Sequence, residues 1–352
     1  MCGADGVAAL AAIRSLGRAG VPVLVVDHRP SAIGFRSRYA QPMPSPDYEV
    51  DEAGFVESLV ALAERFDDPL PLFVSDDKPL DAVGRNRKQL GERFLYPFPR
   101  WELLGRIQTK RFQLERATEL GIPVPRTRDA PSEDLTFPVL IKPSIPIPFR
   151  KKFGAKAIRC DTPAQLAEVF ERARPYDPLI QEIIPGGDEE LYTVGTYIGE
   201  DGAVLGVFSG RKLQQVPPEV GSCRVGVAIW MDEAVELALA FLRGLGFTGI
   251  AQVEFKRDPR DDRLKLMELN PRLWVWHGLA AACGVDLPRI AYLDLVGRRP
   301  APARMNGQGK RWAMTFAPDA PPALQRPPYV DAVWAWDDPK PALVHWARVM
   351  RS

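Results

Sequence analysis

Two apolar runs near the carboxyl-terminal third constrain this chain most: Ala-Gln-Val-Glu-Phe at 251–255 and Arg-Leu-Lys-Leu-Met-Glu-Leu-Asn-Pro-Arg at 263–272. Read at period two, Gln252, Glu254 and Lys256 share one face of a strand, and Leu264, Leu266, Glu268 and Asn270 share one face of the next. The Asp-Pro-Arg-Asp-Asp segment at 258–262 is turn chemistry, so the two runs predict a hairpin. Such a hairpin brings Glu254 close to Glu268 and Asn270. Two carboxylates and an amide oxygen on a rigid sheet suit Mg²⁺, a hard cation that takes few protein oxygens and leaves room for phosphates. Arg272, just beyond, offers anionic oxygens a planar fork of donors. A solvent-facing hairpin with ordinary surface charges can look the same, so the meaning of this motif depends on its surroundings.

A chain of 352 residues is long for one core and predicts two or three subdomains. Its hydrophobic content of 46% and charged content of 26% are those of a globular protein. The formal net charge of +1 gives no bulk attraction to nucleic acid or to an anionic membrane, so any anion binding must be local. Cys2, Cys160, Cys223 and Cys283 lie far apart with no C-x-x-C pair, which indicates neither a zinc site nor a disulfide framework. No apolar run approaches the roughly 18 residues that span a bilayer, and the cytoplasm is the expected compartment.

The first hundred residues read as α/β. Gly3-Ala4-Asp5-Gly6 precedes a helical stretch at 7–19 and a buried strand at 21–27, the pieces of a doubly wound parallel sheet. The strand that should come before Gly3 has only Met1 and Cys2 to make it, so either that strand is very short or the natural start lies upstream. The basic loop Phe35-Arg36-Ser37-Arg38-Tyr39 is placed to meet an acidic substrate group or simply water. Residues 53–66 are helical and 70–74 strand-like, and Asp76 and Asp77 read as caps of the next helix.

From residue 106 the pattern changes. Thr109-Lys110-Arg111-Phe112 opens a helix that Gly121 and Pro123 stop. Pro-Val-Leu-Ile-Lys-Pro at 138–143 is a strand ending at Lys142, 155–160 is a second strand, 163–174 a helix, and 179–183 a third strand leading into Gln181-Glu182-Ile183-Ile184-Pro185-Gly186. Residues 144–154, with two prolines, Arg150, Lys151, Lys152 and Gly154, read as a loop. Asp188-Glu189-Glu190 follows, then a hairpin at 192–210 that ends in Arg211-Lys212, and a proline-rich loop at 216–224. Trp274 and Trp276 read as packing, and His277, with no visible carboxylate partner, as structural.

In this order the motifs resemble the ATP-grasp superfamily, in its predicted carboxylate–amine ligase branch related to D-aspartate ligase and amino-acid ligases. Gly210-Arg211-Lys212-Leu213, Pro217-Pro218 and Asn270-Pro271-Arg272-Leu273-Trp274 carry that nearer likeness. The resemblance implies a leading domain at 1–103, a two-subdomain α+β ATP-grasp domain at 104–300 with a lid at about 125–183, and an extension at 301–352 without an assigned role. It implies Mg²⁺, for which Mn²⁺ can substitute, at Glu254, Glu268 and Asn270. It also implies ATP phosphates at Lys110, Lys142 and Lys212, and adenine at the main chain of Gln181 and Ile183 beside Glu182. The ribose hydroxyls fall to Glu190 in preference to Asp188, and Arg272 is the catalytic candidate. Arg150, Lys151, Lys152 and Gly154 occupy the position of the family's phosphate-covering loop. Relatives have several glycines there, so side-chain cations either replace backbone donors or form a solvated surface.

The activity implied is ligation of a small-molecule carboxylate to an amine through an acylphosphate, releasing ADP and phosphate, with no nucleic acid or membrane partner and a homodimer left open. A kinase-like enzyme with a non-amine acceptor and a non-catalytic ATP-binding regulator are the alternatives.

Overall fold

Short apolar strands in the first hundred residues build a parallel sheet. The computed structural model describes residues 1–144, 146–218, 221–314 and 328–350. Strand Val23–Asp27 pairs in parallel with Ala40–Pro44, and Leu70–Pro71 with Phe94–Leu95. Cys2 joins the two pairs, bridging in parallel to both Val26 and Val74. Cys2 N–H donates to Phe73 O at 2.9 Å and Val26 N–H to Met1 O at 2.8 Å, so Met1 and Cys2 form the short central rung. The glycine turn that follows needs Gly3 at φ +80°. Buried Asp27 holds it by accepting the Ala4 N–H at 2.6 Å.

The region expected as a lid holds a four-stranded sheet in the order Thr127–Arg128, Pro178–Glu182, Val139–Pro143, Ile158–Cys160, covered by helix Pro163–Ala173. Thr162 caps that helix by accepting the Gln165 N–H. The segment expected as a loop is instead a helix, Pro146–Phe153. Its two prolines fall in the first turn, where no intrahelical N–H is required. Phe149 and Phe153, four residues apart, share the buried face: their ring centroids are 4.4 Å apart, and Tyr176 closes on both edge-on.

The large sheet runs Arg263–Asn270, Gly249–Asp258, Leu191–Ile198, Val204–Val216, Ser222–Ala228, Arg311–Ala313, Tyr329–Asp331, with Ala303–Arg304 added beside Val204–Val216. Trp274 and Trp276 fill the core beneath it, as their packing role requires. Gly195 is obligatory there, because a Cβ would lie 2.0 Å from the Trp274 ring. No helix among the described residues is long and apolar enough to cross a membrane.

The tail, chemically mute in the sequence, has a clear structural role. Two of its strands extend the large sheet, and Asp337 and Asp338 then clamp the leading domain. Buried Asp338 accepts from Arg14 Nε at 3.0 Å, Ser37 Oγ at 2.7 Å and Arg38 N–H at 2.8 Å, while Arg14 Nη2 donates to its carbonyl at 2.7 Å. Asp337 takes Arg18 through two bonds of 2.7 Å and also accepts from the Tyr39 hydroxyl. The loop at 35–39 thus meets the tail aspartates through Ser37, the Arg38 N–H and Tyr39, while the Arg36 and Arg38 guanidiniums donate to the Pro30 and Asp337 carbonyls. The two aspartates are unequal, since Arg14–Asp338 is buried and Arg18–Asp337 is half exposed. Asp338→Ala, which strands a buried guanidinium, is expected to lower unfolding free energy by about 3 kcal/mol or more. Asp337→Asn should cost about 1 kcal/mol or less. Urea unfolding of the two variants measures both.

Candidate functional site

The hairpin places Glu254 directly opposite Glu268 and Gln252 opposite Asn270. One element of the period-two reading is corrected. A bulge sets Phe255 opposite Leu266 while Glu254 still faces Glu268, so Met267 is the extra residue. It turns Leu264 and Leu266 into the core with Val253 and Phe255. Glu268 and Asn270 are left on the cleft face. Polar side chains link these residues along that face: Asn270 Nδ2 donates to Gln252 Oε1 at 3.2 Å, and Gln252 Nε2 to Glu254 Oε1 at 2.9 Å.

Cations arrive from five separate segments. Lys110 opens helix Lys110–Glu119 and reaches Glu268 Oε1 at 2.6 Å. Lys212, buried on strand Val204–Val216, lies 2.9 and 3.1 Å from the two Glu254 oxygens. Burial alone would raise the Glu268 pKa, but Lys110, Lys156 and Arg272 outweigh it and hold the carboxyl at about 2. Lys142 donates to Gln181 Oε1 at 2.6 Å. Burial, with repulsion from Lys110 and Lys256, brings its pKa down to about 7 against the pull of Glu268.

Lys156 was not singled out in the sequence. It is exposed, and its ammonium lies 3.4 Å from Ser222 Oγ. Its position two residues after Gly154, behind a run of cations, was the available signal. Arg150, Lys151, Lys152 and Gly154 themselves are exposed along and just after the lid helix.

Arg272 meets Asp77 with both oxygens engaged, Nε on Oδ1 and Nη2 on Oδ2 at 2.9 Å, and Nη2 also lies 3.4 Å from Asn270 Oδ1. Burial works against its charge, but Asp77, Asp76 and Glu268 keep the guanidinium firmly protonated. Asp76 caps helix Asp77–Arg85 as expected. Asp77 does not: it connects the leading domain to the cleft.

At the hinge, Gln181 is committed through its side chain to Lys142 and Thr127. The Glu182 carboxylate turns away to the Arg126 N–H at 2.8 Å and Arg260 Nη2 at 2.8 Å, and its own N–H is bonded to Arg126 O at 3.0 Å. Asp188 accepts the Gln215 N–H at 2.8 Å, whereas no partner for the Glu190 carboxylate is found among the described residues. His277 is buried with Nε2 2.8 Å from Ala8 O, consistent with a structural histidine.

No group of three or more His, Cys, Asp or Glu side chains that could hold a metal gathers among the described residues. Two carboxylates and an amide oxygen nonetheless fit Mg²⁺, which usually binds through one or two carboxylates and completes its shell with phosphate oxygens and water. The ammonium groups of Lys110 and Lys212 already lie against those carboxylates, where positive charge is favoured. With Lys142 and Lys156 nearby, cations outnumber carboxylates, a balance suited to a polyphosphate.

No family model matches the chain. It is 26% identical to D-aspartate ligase of Enterococcus faecium over 279 residues, 72% of this chain and 66% of that protein, so it spans just under two thirds of that relative's length. Among solved structures, biotin carboxylase of Campylobacter jejuni superposes with a TM-score of 0.69 at 16% identity, covering 87% of this chain and 73% of that one. L-amino acid ligase of Bacillus licheniformis superposes with a TM-score of 0.61 at 16% identity, covering 84% and 73%.

Lys142 supplies a test of the electrostatics. Its folded-state pKa of about 7 lies below the unfolded value, so the group loses its proton in the folded protein as pH rises through 7. A polyphosphate anion restores the charge. Binding of tripolyphosphate with Mg²⁺ at pH 8 is expected to take up as much as about one proton. Calorimetry in buffers of different ionisation enthalpy measures this, and Lys142→Met should abolish the uptake.

Proposed function

We propose that this chain, a member of the ATP-grasp superfamily, is an ATP- and Mg²⁺-dependent carboxylate–amine ligase that makes an amide or peptide bond through an acylphosphate. The observation that carries the reading is the pairing of Glu254 with Glu268 and Asn270 on one sheet face, ringed by Lys110, Lys142 and Lys212 and flanked by Arg272. A protein that only bound a nucleotide would not need this whole set. The likeness to D-aspartate ligase supports the same class of chemistry.

A carboxylate does not condense with an amine in neutral water, because its oxygen is a poor leaving group. Phosphorylation repairs that. Mg²⁺ held by Glu254, Glu268 and Asn270 would neutralise charge on the β and γ phosphates. Lys110, Lys142 and Lys212 take the remaining negative charge, and the hinge at 181–183 holds adenine with Glu190 at the ribose. A substrate carboxylate oxygen then bonds to the γ-phosphorus as the bond to the bridging oxygen breaks, and ADP leaves. The amine nitrogen attacks the acyl carbon, the carbon–oxygen bond to phosphate breaks, and the amine proton passes to solvent or to the departing phosphate. Arg272 is the donor placed to stabilise negative charge on the transferred phosphoryl group and on the tetrahedral intermediate. The lid excludes the water that would hydrolyse the acylphosphate.

Nucleotide product analysis tests this. With Mg²⁺, ATP and pools of small carboxylates and amines, ADP is expected only when both substrates are present. ADP with carboxylate alone would instead favour a kinase-like enzyme, AMP would overturn the acylphosphate route, and binding without turnover would favour a regulator. Glu268→Gln is expected to cut turnover roughly a hundredfold or more, the scale of losing one electrostatic contact to the transition state.

A further inference from the structure

Lys256 belongs to the same strand face as Gln252 and Glu254, yet the chemistry above gives it no role. It is buried, and its ammonium donates to the Ile184 carbonyl at 2.8 Å and to the Gly186 carbonyl at 2.8 Å. Those carbonyls flank Pro185, whose ring fixes φ. Gly186 follows at φ +92°, a conformation glycine tolerates. One cation therefore gathers the chain immediately after strand Pro178–Glu182 into a tight curl. On the strand side, the Glu182 N–H is fixed to Arg126 O at 3.0 Å and its carboxylate to Arg126 and Arg260. The hinge is thus pinned on both sides of Ile183 before any ligand arrives.

We propose that Lys256 is the positioning residue for nucleobase recognition, fixing the hinge main chain in the geometry that selects adenine over guanine. This rests on the nucleotide-binding reading above. Main-chain recognition tolerates little displacement, because a base with the donor and acceptor exchanged is rejected only when the protein groups cannot shift to suit it. Removing the ammonium leaves the buried Ile184 carbonyl without its donor and frees the exposed Gly186 carbonyl to turn to solvent, and the curl opens. The phosphate-facing lysines lie on other elements, and losing the Lys256 charge only eases the repulsion on Lys142.

The test compares wild type with Lys256→Met by calorimetry, using ADP, GDP and tripolyphosphate, each with Mg²⁺. Wild type is expected to prefer ADP to GDP. The variant should bind ADP about tenfold more weakly, with ADP and GDP within roughly twofold of each other and tripolyphosphate bound no more weakly than by wild type. A variant that keeps the wild-type ADP affinity and preference overturns the assignment. So does one that loses tripolyphosphate in parallel with ADP, which would make Lys256 a general prop of the fold. Wild type that binds tripolyphosphate but shows no base preference overturns it too, while leaving a polyphosphate site intact. Wild type that binds none of the three removes the nucleotide-binding reading and this assignment together.

Discussion

Two glutamates facing each other across a pair of strands repel, and the rest of the cleft is arranged around that repulsion. Like charges directly opposite on paired strands are destabilising unless positive charge is brought to them. Lys212 comes from a neighbouring strand, Lys110 from the start of a helix, Lys156 from the lid and Arg272 from the chain just past the hairpin. None of these residues is adjacent in sequence to another, so the fold is what assembles the charge balance. The low pKa of the Glu268 carboxyl is the sign that it succeeds. The same arrangement has a consequence for binding: the lysines available to an incoming polyanion are already held close to where its charges would lie, and little reorganisation is needed.

Arg272 extends this logic between domains. Its guanidinium touches Asn270 at the metal-suited face and Asp77 at the start of a leading-domain helix. A change at either end is therefore felt at the other through one rigid, fully charged group. The leading domain is in turn fixed to the far side of the molecule by Asp337 and Asp338, so the pair that reaches into the cleft is mounted on a braced support.

Much of this was legible in the sequence, and the failures have physical causes. The hairpin, the lysine at the end of the 139–143 strand and the hinge follow from period-two patterning and turn chemistry, which are local. The bulge at Met267 was invisible because apolar residues on both sides of it fit an uninterrupted strand equally well. The helix at 146–153 was hidden by its prolines, which argue against a helix interior but not against its first turn. Asp77 looked like a cap because its neighbour is one. Lys156 was overlooked beside three more conspicuous cations, and the role of the tail depends on contacts about 300 residues apart in sequence, which no local pattern encodes.

The lid has its own small hydrophobic core, built on Val139, Ile141, Phe149, Cys160 and Phe170, separate from the cores of the frame. The tail, by contrast, ties the two ends of the chain to each other through Arg14, Arg18, Asp337 and Asp338. Residues 127–182 are joined to the rest by ion pairs, Arg111 with Asp177 and Arg260 with Glu182, while their apolar core stays their own. Salt screens charge and leaves apolar packing alone, so ionic strength acts on this joint and not on the cores beside it.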